Sequence, residues 1–234
     1  MKLVKVDRVH SEQEVEILQN LGVNAITVTL SSDSRFNDMR SIDKNRISSI
    51  KKIIRENTLF IGELSFENCF NFLDFVIDVK FDYIQLYSER NQTLPIKFCK
   101  QLKSKGIGFI YSSLEASYDT DPSWILRDIP DQLESNTDFF QVDLLPDVND
   151  SWQFLKEKCP DFPDELQLSD INDLASKYSL LVTTDFSEEN IEEIVASLQN
   201  IKGISFVLGN NPIRNDIHYF NYSEVLKILQ KLTL

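Results

Sequence analysis

Short runs rich in Val, Ile, Leu and Phe recur along the chain, and between them apolar residues return every three to four positions. Runs of that length bounded by turn signals read as buried strands, and the longer spacing reads as amphipathic helix. Leu3 to Val9 is the first strand. Ser11 and Glu14 form a capping box ahead of Val15, Leu18 and Leu21, and Gly22 stops that helix. Ala25 to Leu30 is the second strand, and the polar stretch from Ser31 to Ser41 leads to a helix capped near Asp43 that carries Ile47, Ile50 and Ile54. Leu59 to Leu64, Tyr83 to Tyr87, Ile107 to Ser112, Phe139 to Leu144, Leu180 to Thr184 and Ile204 to Leu208 continue the strand series. Helices are expected through Phe70, Leu73, Phe75 and Val76, from Pro95 to Lys105, and as a short piece at Trp124, Ile125 and Leu126. Others follow from Trp152 to Glu157, from Ser169 to Lys177, after a Ser187 cap, and from Asn221 to Leu232.

About eight strand–helix units predict a single (β/α)8 TIM barrel over residues 1–234, with functional residues at the C-terminal strand ends. An open doubly wound sheet is the alternative. Gly22, Gly106 and Gly203 all fall between a helix and the following strand, and Gly209 lies at a strand's C-terminal mouth. With 42% hydrophobic residues, 6 Gly and 7 Pro, nothing reads as a linker between two domains.

A formal net charge of −13 argues against nucleic acid and anionic lipid as partners. Lys51, Lys52 and Arg55 alternate with Ile50, Ile53 and Ile54 and read as a solvated helix face. Cys69, Cys99 and Cys159 have no paired spacing for zinc or a redox dithiol, so reduced, partly buried thiols are expected. Met1 to His10 lacks the apolar run of a secretory signal, and no stretch approaches a membrane span of roughly 20 apolar residues. A cytoplasmic location is expected, with no cofactor and no metal.

Strand alternation puts Lys5 on the inward face of Asp7, and Gln141 on that of Asp143; Gln85 adds a third polar group to the interior. A carboxylate pair at one barrel mouth can move protons if its environment tunes the pKa values. A buried ion pair between Lys5 and one aspartate is the structural alternative.

Several stretches resemble phosphoribosylanthranilate isomerase, the barrel enzyme of tryptophan biosynthesis. Lys5-Val6-Asp7-Arg8 resembles that family's Lys-Ile-Cys-Gly, and Gly22-Val23-Asn24-Ala25 is similar to its Gly-Ala-Asp-Ala. Tyr83-Ile84-Gln85-Leu86-Tyr87 looks like its Val-Gln-Leu-His, and Phe140-Gln141-Val142-Asp143 like its Leu-Leu-Asp. The resemblance implies an aldose–ketose (Amadori-type) isomerase of a small phosphorylated sugar derivative, an intramolecular oxidoreductase. Asp7 would stand as base where the family has its thiol, and Asp143 as acid. A related histidine-pathway isomerase works with two aspartates, so the Asp/Asp pair resembles that arrangement. Arg35 or Arg40 would meet a substrate anion, and Gln85, Thr184, Gly209 and Asn210 would line the substrate site.

The chain also departs from that pattern. Thr183-Thr184-Asp185-Phe186-Ser187 has no glycine for a phosphate cradle, and Asp185 puts a negative charge there. Gly209, Asn210 and Asn211, with Arg214, make at most half a cradle or an ordinary turn. Arg8 replaces the family's glycine and either fills the site or points outward. His10 and His218 show no evident carboxylate partner in sequence, and Asp119, Asp121 and Asp128 match no metal motif. The alternative to an isomerase is therefore a catalytically inactive barrel, a pseudoenzyme binding a small anionic ligand, a protein partner or a second copy, with Tyr118, Trp124 and Trp152 as interface aromatics. Asp7 and Asp143 facing one open pocket favours the enzyme; Arg8 or Phe186 filling that space favours the binding module.

Overall fold

In the computed structural model, which describes residues 2–31, 35–37, 39–87, 96–119, 134–210, 212–213 and 217–232, eight parallel strands close into a barrel in sequence order. The chain runs β1 (Leu3–Asp7), α1 (Glu12–Asn20), β2 (Ala25–Thr29), α2 (Lys44–Ile53), β3 (Leu59–Ser65), a 3₁₀ turn (Cys69–Phe72) into α3 (Leu73–Val79), β4 (Tyr83–Tyr87) and α4 (Ile96–Ser104). It continues with β5 (Gly108–Ala116), β6 (Phe139–Leu144), α5 (Ser151–Glu157), a second 3₁₀ turn (Cys159–Asp161), α6 (Leu168–Lys177), β7 (Leu180–Thr183), α7 (Ile191–Ser197), β8 (Gly203–Val207) and α8 (Tyr222–Lys231). β1 pairs with β8 from Leu3↔Gly203 to Asp7↔Val207, which closes the cylinder and excludes the open sheet. The short helix expected at Trp124 to Leu126 lies outside the described residues.

Alternation within each strand sorts the residues into two environments. Val4 and Val6 of β1, Ile26 and Val28 of β2 and Val182 of β7 join the apolar layer between barrel and helices. The residues between them point inward. Ala25, Ile61, Ile110 and Leu181 make a separate apolar cluster with Leu3, Leu59, Tyr83 and Phe139, which closes the N-terminal floor of the barrel. Above that floor the lining is polar, with Lys5, Thr27, Glu63, Gln85 and Ser205 all buried.

Several local expectations shift. Ser11 does cap α1, accepting from the Glu14 amide at 3.2 Å, but the Glu14 carboxylate does not return to Ser11; it accepts from the His10 amide at 3.0 Å. α7 starts at Ile191, because Ser187 caps the preceding turn through the Glu189 and Asn190 amides. β5 runs past Ser112 to Ala116, with a bulge between Tyr111 and Leu114. Cys69, Cys99 and Cys159 are buried and unbridged, and burial pushes the first two thiols up to about 11 and about 12. Trp152 is buried, so it belongs to the core and not to an interface. Among the described residues no helix is long and apolar enough to cross a membrane.

Gly203 opens β8 because the Leu3 carbonyl leaves no room for a side chain: a Cβ there would sit 2.3 Å from that oxygen. Gly203→Ala therefore has to push β1 and β8 apart and should lower stability by about 1–3 kcal/mol in urea unfolding. An unchanged midpoint would refute the close approach.

Candidate active site at the barrel mouth

Asp7 ends β1 and Asp143 lies near the end of β6, so both residues stand towards the C-terminal ends of their strands, the side of the barrel where barrel enzymes keep their chemistry. Their surroundings differ. Asp7 has no exposure at all. Lys5 donates to its Oδ1, Ser205 Oγ donates to Oδ2 at 2.9 Å, and Gln141 Nε2 reaches Oδ2 at 3.1 Å. The Lys5 ammonium spends its other two protons on Gln141 Oε1 at 2.8 Å and Ser205 Oγ at 3.3 Å. Every proton of the group has an acceptor, the condition under which a buried ion pair is tolerated.

Burial alone would raise the Asp7 pKa, but the Lys5 charge and the bonds from Lys5 and Ser205 outweigh it and hold the carboxyl below its ordinary value. Burial pulls Lys5 down, against the Asp7 and Glu63 carboxylates. A general base at neutral pH needs the opposite tuning of the carboxylate. The ion pair, not a free base, is what β1 builds.

A second network lies beside the first. Glu63 on β3 accepts from Thr29 Oγ1 at 2.9 Å, from Gln85 Nε2 at 3.0 Å and from Arg35 Nη2 at 2.8 Å. The Arg35 guanidinium also lies 4.2 Å from the Tyr87 ring centre. Gln85 thus serves Glu63 inside the barrel, and Arg35, expected to meet a substrate anion, holds an internal one. Arg40 is buried as well, paired with Glu14 at 3.0 Å and donating to the Arg8 carbonyl at 3.0 Å.

Asp143 is held from outside the barrel. His218 donates its amide to Oδ2 at 3.0 Å, and its Nδ1 meets Oδ1 at 2.6 Å. His218 Nε2 lies 2.9 Å from Ser151 Oγ, and that hydroxyl also faces the Leu145 and Val148 carbonyls at 2.9 and 2.8 Å. The order Ser151, His218, Asp143 has the spacing of a nucleophilic triad, but Ser151 is buried and its proton has carbonyl acceptors. The turn that aims these carbonyls holds Leu145 at φ 54° and Asp150 at φ 53°. Left-handed backbone at such residues costs roughly 1–2 kcal/mol each. Burial would lower His218, but Asp143 and, more weakly, Asp185 raise its pKa above the ordinary value.

The described residues of the mouth enclose little space. Arg35, Glu115, Gln141, Asp143, Thr183 and His218 are among the residues around a cavity of about 50 Å³, and Asp7 does not reach it. Small-molecule sites usually offer roughly 300–1,000 Å³. Arg8 does not point outward: it is fully buried at φ 63°, lies 3.8 Å over the Phe36 ring and donates to the Leu208 carbonyl at 2.7 Å. Phe36 in turn covers Gly209, where a Cβ would sit 2.1 Å from the ring. Phe186 packs at 5.0 Å against Phe206 in the apolar layer outside the strands and does not line that cavity.

Three amides of the loops after β7 and β8 are engaged internally. Phe186 N–H donates to the Thr184 carbonyl at 2.8 Å, Ser187 N–H to Asn190 Oδ1 at 2.7 Å, and Gly209 N–H to the Phe220 carbonyl at 3.1 Å. Thr184 is buried and its hydroxyl donates to Asp185, which also accepts the Trp152 amide at 3.0 Å and so caps α5 from a neighbouring loop. Asn210 is exposed. Asn211 and Arg214 lie outside the described residues, as do Asp121 and Asp128, and no metal-binding cluster occurs among the described residues.

The expectation that both histidines lack carboxylate partners fails. His10 Nδ1 meets Glu14 at 2.8 Å and His218 meets Asp143. Sequence reasoning also missed Glu63, Ser205 and Ser151. Glu63 and Ser205 carry a signal, each a polar residue at an inward position of an otherwise apolar strand; nothing in the sequence points from His218 to Asp143, 75 residues away.

These features define a (β/α)8 barrel with polar networks at its mouth. No family model matches the chain, and no curated protein matches its sequence. Solved structures do match in shape. N-(5'-phosphoribosyl)anthranilate isomerase from Pyrococcus furiosus aligns with a TM-score of 0.67 at 15% identity, over 99% of this chain and 98% of that one. Phosphoribosyl anthranilate isomerase in complex with reduced 1-(o-carboxyphenylamino)-1-deoxyribulose 5-phosphate gives 0.66 at 14% identity, over 99% and 98%. The match extends to phospho-2-dehydro-3-deoxyheptonate aldolase from Thermotoga maritima, at 0.61 and 10% identity over 98% of this chain and 68% of that one. What is shared at these identities is the barrel.

Lys5→Met should cost about 3–5 kcal/mol, because Asp7 is left buried without its counter-charge. Adding Asp7→Leu should restore most of the loss in the same denaturation experiment. Recovery absent from the double variant would mean that the two residues are not coupled. Because folding depresses the Asp7 pKa, its contribution is complete above about pH 3.9 and is lost as pH falls through the lower folded value. Asp7→Asn should flatten that acid limb.

Proposed function

We propose that this chain is a phosphoribosylanthranilate isomerase-like barrel that has given up proton-transfer chemistry and works as a binding module. The observation that carries the reading is the Asp7 carboxylate, enclosed by Lys5, Gln141 and Ser205 and shut off from the mouth cavity. A base in that position has no route to a substrate carbon. Asp143 does line that cavity, but each of its oxygens accepts from His218, whose Nε2 in turn lies against Ser151 Oγ, so the pair is engaged within the fold.

Engagement of the Phe186, Ser187 and Gly209 amides supports the same reading, as does the small volume, about 50 Å³, of the cavity that Gln141, Asp143 and His218 line among the described residues. Around the mouth, the loops after β2 and β8 are joined by an antiparallel bridge between Phe36 and Pro212, and Met39, Ile213 and Tyr219 are exposed there. An apolar rim suits a protein partner better than a sugar phosphate.

An isomerase assay with phosphoribosylanthranilate at high protein concentration tests this directly. The expected result is no turnover above the uncatalysed rate for the wild-type chain or for Asp7→Ala and Asp143→Ala. Turnover by the wild-type chain that either substitution abolishes would restore the Asp7 base and Asp143 acid and defeat the proposal.

A further inference from the structure

We propose that the cavity at the ends of β5, β6 and β7 is a site for one primary ammonium group, held by Thr183 and Asp143 and carried by a small amine or by a partner's lysine side chain. The proposal deepens the binding-module reading and rests on it, because it names the head group that the mouth takes.

Strand register sets the row of groups that would hold it. Glu115 of β5 pairs across to Asp143 of β6, and Asp143 to Thr183 of β7, so two carboxylates and a hydroxyl stand at one level of the barrel. All three residues line the cavity. Neighbouring strands lie about 4.8 Å apart, so one guest atom seated between two such side chains can bond both.

Thr183 points to a guest most directly. The residue is 1% exposed, and its hydroxyl has no hydrogen-bond partner among the described residues. A buried hydroxyl left unpaired is destabilising, and valine would fill the same strand position without that cost. A ligand that bonds the hydroxyl gives it a purpose.

The balance of donors and acceptors fixes the chemistry of that ligand. Asp143 accepts one bond at each oxygen, both from His218, and a carboxylate has about four acceptor positions. Ser112 Oγ, also in the lining, gives its one proton to the Leu86 carbonyl at 3.2 Å and keeps its lone pairs. The cationic donors are committed. Arg35 gives Nη2 to Glu63 at 2.8 Å and lies over the Tyr87 ring, while the two ring nitrogens of His218 meet Asp143 and Ser151. A lining that accepts more than it donates calls for a guest with protons to give. An ammonium has three donors and no acceptor, and its charge answers the carboxylates. A phosphate would set acceptors against acceptors.

Size and long-range charge agree. A volume of about 50 Å³ holds one or two water-sized groups of roughly 30 Å³ each, which suits an ammonium and its first methylene. Leu114, Val207 and Ile217 supply apolar wall for that methylene. The net charge of −13 draws cations to the chain.

Amide NMR of the full chain titrated with n-butylammonium chloride tests the site, with tetramethylammonium chloride and inorganic phosphate at equal ionic strength as controls. The expected result is a saturable shift of the Thr183 and His218 amides with butylammonium and with neither control. A second arm uses an acetylated, amidated tripeptide with lysine at its centre. Tighter binding of the peptide than of butylammonium assigns the head group to a partner's lysine, and weaker binding assigns it to a free amine. Thr183→Val should weaken butylammonium about tenfold and leave the urea midpoint unchanged or higher, since only an unpaired hydroxyl is lost. Asp143→Asn should weaken it further. No saturable shift with butylammonium, an equal response to tetramethylammonium, or undiminished binding by a folded Thr183→Val chain would overturn the proposal. The wild-type comparison decides it if a variant fails to fold. Isomerase turnover counts against the binding-module reading and absent amine binding against the ammonium site, so the two failures are distinguishable.

Discussion

The interior of this barrel is organised by one ammonium group. Lys5 stands on an apolar floor and below Asp7, and its three protons tie β1 to β6 and β8 through Gln141 and Ser205. Water is excluded from that level, so the charge must be answered by side chains in fixed places. Asp7, Gln141 and Ser205 are therefore placed by electrostatics as much as by strand register, and what remains for chemistry at the rim is decided beneath it.

The same economy governs the rest of the mouth. Glu63 gathers Thr29, Gln85 and Arg35; Asp143 takes His218; Asp185 caps α5. Most of the charged groups that could meet an incoming ligand already meet a neighbour, while the buried Thr183 hydroxyl in the lining of the same cavity has no hydrogen-bond partner among the described residues. Enzymes commonly leave such groups poised at shifted pKa values and in reach of substrate. Here the shifts arise from internal partners, and the electrostatic energy goes into the fold.

The architecture was legible in the sequence because it rests on short-range signals: apolar runs, helical spacing, and stop residues such as Gly22 and Gly106, both at positive φ. Strand alternation also brought Lys5 and Asp7 to one inward face and admitted an ion pair between them. The mouth was less legible. Asp143 and Ser151 come from one strand–helix unit and His218 from another, and their meeting depends on the path of the loop after β8, which no local pattern encodes. Arg35 and Arg40 read as loop cations, because only the closed fold brings Glu63 and Glu14 beside them.

Gly209 leaves a notch at the head of β8 with clearance for a small group, and the ring of Phe36, backed by Arg8, occupies it. The shape available to a guest at that corner is consequently dictated by the loop after β2, not by the strand that carries the glycine. Drift in that single aromatic position would reopen the notch and leave the scaffold intact.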